Sequence, residues 1–183
     1  RRVIAPHVFR TPLRHYPALS DLVGAEVWVK HENFQVLGAF KVRGGINLVA
    51  RLAEDEIARG VVTASSGNHG QSIAFAARTF GAAATVVVPE GANPGKVRAI
   101  EYLGGKVVFH GSVYEDSREL AHRLQDDEGY RYVDAANEPL LIAGVGTYSV
   151  EILEDLGDID TILVPLGAGS GASGACIAAS AMS

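Results

Sequence analysis

The chain has 183 residues, with 16 Lys and Arg against 21 Asp and Glu for a formal net charge of −5. Hydrophobic residues make up 48% and charged residues 20%, which suffices for a packed core and excludes a disordered chain. The acidic balance argues against a nucleic-acid-binding surface, which is normally basic, and the single cysteine, Cys176, excludes a disulfide scaffold.

Along the chain, short β-branched runs alternate with longer helical ones, the pattern of an α/β fold. A candidate strand at 26–30 is followed by a helix at 40–54, then a strand at 61–64 and a helix at 70–80. The alternation continues with a strand at 84–88, a helix at 94–102 and a strand at 106–109. A charged helix at 113–127, a strand at 132–134, a helix at 140–156, a strand at 161–164 and a small-residue helix at 171–182 complete it. Several strands are almost wholly apolar, as parallel strands covered on both faces are. Pro94 suits a first helical turn, whereas Gly81, Gly104 and Gly129 suit helix ends. Within 113–127, Leu120, Ala121 and Leu124 share one face and charges cover the rest, so this helix is peripheral. The most apolar stretch, 172–182, is shorter than the roughly 20 residues a membrane span needs. No secretory leader pattern opens the chain, so a cytoplasmic location is expected.

Glycine is over-represented, 21 of 183 residues, or about 11% against a usual about 7%. Much of the excess falls at three junctions. The third, 167–174 (GAGSGASG), leaves the strand at 161–164 and opens a helix. Free amides and the positive end of the helix dipole make such a turn a phosphate cradle, the alternative being a glycine turn for close strand–helix packing. It contains G-x-G-x-x-G, but a dinucleotide fingerprint belongs in the first βαβ unit rather than the last. The second junction, 65–70 (SSGNHG), gathers two hydroxyls, an amide and an imidazole at a helix start. One cap would satisfy the helix, so this cluster suits an anionic ligand such as a carboxylate. The first junction, 38–45 (GAFKVRGG), sets Lys41 between Phe40 and Val42. A lysine at a helix start is commonly solvated, but a desolvated one loses its proton and attacks carbonyls. A lysine, a carboxylate turn and a phosphate cradle together point to pyridoxal 5'-phosphate (PLP), an aldehyde with a phosphate tail that processes amino acids.

The chain resembles the threonine dehydratase and serine racemase group of fold-type II PLP-dependent enzymes. The resemblance runs from Thr11-Pro12-Leu13 through 30–35 (KHENFQ), 38–44 (GAFKVRG) and 63–71 (TASSGNHGQ). It continues through Val88-Pro89, 142–147 (IAGVGT) and Val164-Pro165 to Gly174. It implies a tryptophan synthase β-like α/β fold of two interleaved, open parallel-sheet lobes. Residues 1–59 and 139–183 would form the larger lobe, incomplete in this chain, and 60–138 the smaller.

The same resemblance implies roles for particular residues. Lys41 would hold PLP and, once displaced by substrate, take the substrate's α-proton, while Phe40 would pack near the pyridine ring. Asn68 would hydrogen-bond the cofactor's 3'-oxygen. Gly167, Ala168, Gly169, Ser170 and Gly171 would cradle the phosphate. Ser65, Asn68 and His69 would line the pocket for the substrate carboxylate, and Ser66 would act as acid or base opposite Lys41. Arg118 falls where serine racemase has an arginine linked to substrate binding. The implied activity is dehydration of a hydroxyamino acid such as L-threonine or L-serine to a 2-oxo acid and ammonia, in a homodimer or homotetramer. The implied alternatives are a hydroxyectoine-utilization dehydratase, a serine racemase-like enzyme, or an inactive fragment that at most binds PLP. Ala39 replaces the usual serine before Phe40 and Lys41, and 167–170 (GAGS) replaces four glycines; with 135–139 (AANEP), this loop resembles the hydroxyectoine branch. No metal site is expected: His7, His15, His31, His110 and His122 share no ligand spacing, and Cys176 reads as a buried small residue.

Overall fold

The computed structural model describes residues 1–182. Its centre is a four-stranded sheet, β3 (Val61–Ala64), β4 (Ala84–Val88), β5 (Gly105–Phe109) and β6 (Arg131–Tyr132), in the order β5-β4-β3-β6. All three pairings are parallel, with Val61 opposite Ala84, Ala84 opposite Gly105 and Val61 opposite Arg131. Strands β3 and β4 are buried along their whole length, which explains their unbroken apolar runs. Alternate side chains face opposite ways. Val86 and Val88 pack with Ala74 of α4 (Asn68–Phe80) and with Val97 and Ile100 of α5 (Pro94–Tyr102). Val62, Ala64 and Val87 pack instead with Ala121 of α6 (Tyr114–Glu128). Helix α6 therefore covers one face of the sheet, as its single apolar stripe requires.

The remaining segments pack beside this unit. A two-stranded antiparallel sheet pairs β1 (Leu13–His15) with β2 (Trp28–Lys30) around the short helix α1 (Pro17–Val23). A 3-10 turn at Glu32–Phe34 then leads to α2 (Lys41–Val49), buried at every position from Val42 to Val49. Helix α2 is clasped between α4 and α7 (Pro139–Val145). The approach to α7 is close enough that a Cβ on Gly144 would lie 2.6 Å from the Cβ of Asn47 and strike the carbonyl of Arg43.

Three sequence expectations need correction. The helix expected over 40–54 ends at Val49, and a separate helix α3 (Glu54–Arg59) begins where the expected one stops, because Ala53 turns extended and its amide donates to the Glu56 carboxylate at 2.9 Å. The helix expected over 140–156 divides at Gly146 into α7 and α8 (Thr147–Asp155). There α9 (Ser170–Met182) presses in, a Cβ on Gly174 falling 2.8 Å from the Gly146 amide nitrogen. The strand expected over 161–164 forms no strand: a strand needs a hydrogen-bonded neighbour, none lies alongside among the described residues, and Leu163 is 92% exposed.

Arg43, fully buried on α2, is the most heavily bonded side chain of the fold. Its guanidinium donates to both oxygens of Glu151 at 2.7 and 3.0 Å and to both oxygens of Glu32 at 2.8 and 2.7 Å. It also donates to Thr147 Oγ1 at 3.2 Å and to the Phe9 carbonyl at 3.1 Å. Lys30 completes the charge balance, 2.6 Å from Glu151. Removing one partner from such a group strands buried carboxylates. Arg43→Ala should lower the unfolding free energy by about 3–5 kcal/mol, read from denaturant titration. Gly144→Ala should cost about 1–3 kcal/mol by the same measurement, through overpacking between α2 and α7.

Candidate functional site

Strand order locates the site. From β3 the chain moves outward through β4 to β5, then returns to place β6 on the other side of β3. Ligands of open parallel sheets bind at such a switch, beyond the carboxyl ends of the strands. The turn after β3 is 65–67, leading into α4, and the loop after β6 is 133–138, so these two segments flank the crevice.

Lys41 reaches this crevice from the first turn of α2. Its Nζ donates to Ser170 Oγ at 2.5 Å and to the Ala135 carbonyl at 3.3 Å, and stands 5.6 Å from the Phe40 ring centroid. Its backbone carbonyl accepts from Ser72 Oγ of α4 at 2.7 Å, which ties the lysine to the helix after β3. Burial pushes the Lys41 ammonium below its usual range, and the nearby Asp134 carboxylate offsets part of this. The neutral amine is thereby easier to reach than in a solvated lysine.

Ser170, buried at the start of α9, brings the third glycine junction to the lysine. Among the described residues, none of the amides from 167 to 172 donates to another backbone group. The space in front of Gly167 and Gly169 is clear, and Gly169 takes a φ of 104° that favours glycine. The Phe40 ring lies 3.2 Å from where a Gly171 Cβ would stand, and it contacts Tyr148 with ring centroids 5.5 Å apart. Gly167, Ala168, Gly169, Ser170, Gly171, Phe40 and Lys41 are thus gathered at one place.

The second junction supplies the other wall. Gly67 precedes α4 without a side-chain cap, leaving first-turn amides of Asn68 and His69 free. Asn68 is exposed, Ser65 and Ser66 are half-buried, and Ser65 Oγ accepts the Gly67 amide at 3.2 Å. His69 is buried beneath them. Thr63 Oγ1 donates to the Val133 carbonyl at 2.8 Å, so His69 Nε2, 3.0 Å from that hydroxyl and 3.3 Å from that carbonyl, carries the ring proton. His69 Nδ1 is a buried lone pair with no partner. Desolvation, aided by the Lys41 charge, pushes His69 down to about 4.

Arg118 lies exposed on the second turn of α6, and its charge acts on Asp134, Tyr114 and Tyr132. Two parts of the site escaped the sequence reading: Asp134, next to a loop noted only for its resemblance to one branch of the family, and the Arg43 ion network. An acid inside the apolar helix segment around Glu151 was the available signal for the network. Cys176 is exposed rather than buried, because α9 turns Gly174, Ala175 and Ala178 inward and leaves 176 on the outer face.

Residues 4–183 match the family described as pyridoxal-phosphate dependent enzyme. The chain belongs to that family. It is 41% identical over its whole length to an L-threonine ammonia-lyase of Thermotoga maritima, covering 45% of that protein. It is 38% identical to an L-threo-3-hydroxyaspartate ammonia-lyase of Saccharomyces cerevisiae, covering 98% of this chain and 55% of that one. The structure of maize serine racemase superposes with a TM-score of 0.93 at 37% identity, over 98% of this chain and 55% of that one. The chain spans about half the length of the curated relatives it matches. The α/β fold with its parallel sheet is that of the fold-type II enzymes.

The residues present fit the family's cofactor. Unpartnered amides and clear space at 167–171 suit a phosphate, and a desolvated amine beside Ser170 suits an aldehyde held within the same molecule. No helix among the described residues is long and apolar enough to cross a membrane.

The state of His69 has a measurable consequence. The folded protein holds this ring neutral down to about 4, whereas the unfolded chain protonates it near 6.5. The unfolded state then binds the extra proton, so stability is full above 6.5, falls as pH drops to 4, and levels off below. The loss should be about 3 kcal/mol. Denaturant titrations across this interval should show it in the parent protein and not in His69→Gln.

Proposed function

We propose that this chain carries the catalytic lysine and cofactor cradle of a PLP-dependent ammonia-lyase. The substrate would be a hydroxyamino acid such as L-threonine or L-serine, converted to a 2-oxo acid and ammonia by loss of the α-proton and the β-hydroxyl. The observation that carries this reading is Lys41 Nζ, desolvated and 2.5 Å from Ser170 at the mouth of an open anion cradle.

Each residue's part follows from its place. The amides of Gly167, Ala168, Gly169, Ser170 and Gly171 hold the phosphate, aided by the positive end of the α9 dipole. Asn68, exposed at the first position of α4, would donate to the cofactor's 3'-oxygen, and Phe40 would pack beside its ring. Bound PLP supplies an electron sink for the pair released when the α-proton leaves. Lys41 Nζ takes that proton, which requires the neutral amine that burial favours. The substrate carboxylate sits on the α4 first-turn amides with Ser65, above the buried His69, and Ser66 delivers or accepts a proton on the face opposite Lys41. Arg118 contributes from the rim. Residues 60–138 form the smaller lobe, and 1–59 with 139–183 part of the larger.

A serine racemase-like activity is the second reading, favoured by the close superposition on the maize enzyme and by the place of Ser66, half-buried in the turn between β3 and α4. Assembly into a dimer or tetramer is consistent with α1, whose Leu22 is 79% exposed and which buries no residue. A cytoplasmic location fits the single cysteine.

The PLP-loaded protein should be yellow and should release 2-oxobutanoate from L-threonine. Lys41→Ala should abolish both the absorbance band that PLP gains on joining a lysine and the turnover. A band retained in Lys41→Ala sinks the assignment of Lys41, and D-serine formed from L-serine without 2-oxo acid would favour the racemase.

A further inference from the structure

We propose that Asp134 restricts this site to substrates with a single carboxylate, excluding those that carry a second one beyond Cα. The proposal rests on the reading of Lys41 as the group at the reaction centre.

The backbone sets Asp134 between two carbonyls already engaged by the site. Before it, the Val133 carbonyl accepts from Thr63 at 2.8 Å and from His69 at 3.3 Å. After it, the Ala135 carbonyl accepts from Lys41 Nζ at 3.3 Å. The side chain is fixed as well, since Oδ1 accepts the amides of Ala136 and Asn137, each at 2.8 Å. No hydrogen bond reaches Oδ2 among the described residues. Burial alone would push this carboxyl up, but the two amides and the Arg118 charge hold it below its usual value, so it is ionised at neutral pH. Its charge acts on Lys41, His69, Tyr114 and Tyr132, and the Arg118 charge acts on it in turn. His69 is neutral, and Arg118 is already opposed by Asp134 itself.

A substrate whose Cα meets Lys41 Nζ therefore brings its β-substituent into the field of a fixed anion. A hydroxyl or methyl group is indifferent to that field, whereas a carboxylate is repelled by it. The distinction divides the family, because the relative from Saccharomyces cerevisiae is named for a dicarboxylic substrate.

Butanoate and succinate share a four-carbon chain and differ by one carboxylate, so they probe the effect without turnover. Calorimetric titration into the PLP-loaded protein at neutral pH should show butanoate binding about tenfold tighter than succinate. In Asp134→Asn, whose side-chain oxygen still accepts the two amides, the gap should narrow by about tenfold. The ratio of kcat/KM for L-threonine over L-threo-3-hydroxyaspartate should fall in parallel. Succinate binding as tightly as butanoate to the parent protein, or an unchanged gap in Asp134→Asn, overturns the assignment of Asp134 while the yellow band stands. Loss of the band in the parent protein overturns instead the reading of Lys41 and, with it, this proposal.

Discussion

The structure depends on how α2 is seated, and the seat is the buried group of Lys30, Glu32, Arg43 and Glu151. These side chains come from three separate stretches of chain, and Phe9 and Thr11, from a fourth, bind the same group through backbone or hydroxyl. Desolvated charges tolerate no missing partner, so the stretches hold one another in place more strictly than apolar contacts would. Arg43 and Lys41 stand two positions apart on one helix and therefore point to nearly opposite sides. One side of α2 is clamped by the ion network, and the other presents Lys41 to the crevice. A shift of the helix would break the clamp before it moved the lysine.

The crevice itself is assembled from positive ends. Helices α4 and α9 both begin there, each with first-turn amides that find no backbone acceptor. Burial drives both Lys41 and His69 toward their neutral forms, and the positive helix ends act in the same direction. The two groups differ in use. His69 spends its only N–H on Thr63 and Val133 and offers a lone pair, whereas Lys41 keeps an amine free to take a proton. Anionic ligand groups are then the natural occupants of both helix starts, one at each side of the amine.

Much of this was legible in the residues. The parallel strands announced themselves as apolar runs, and the three glycine junctions lie at the site because close backbone approach and free amides are local properties of a turn. What stayed hidden depended on partners distant in the chain. The 140–156 helix read as continuous because Gly146 breaks only where α9 presses on it. The 161–164 strand read as a strand because its apolar pattern says nothing of whether a neighbour is present. Cys176 read as buried because a small-residue helix shows no clear apolar stripe to orient it. Arg43 drew no separate reading, because its partners Glu32 and Glu151 lie 11 positions before it and 108 after it.

The strand order separates two demands that a site must meet together. On the proposed function, the proton-transferring amine needs rigidity, and α2, whose neighbours are buried and charge-locked, provides it. Discrimination among substrates needs a surface that can change without unfolding the core, and on the same reading it falls to the loop after β6. Val133 anchors that loop in the core, but Asp134, Ala135 and Ala136 are only half-buried and Asn137 is exposed. Because β6 sits on the far side of β3 from β4, whatever residue follows Val133 stands beside Lys41. A substitution there alters the field around the reacting carbon while leaving the Arg43 clamp untouched. On the proposal above Asp134 is such a residue, acting on the chemistry through its charge from a position the core does not dictate.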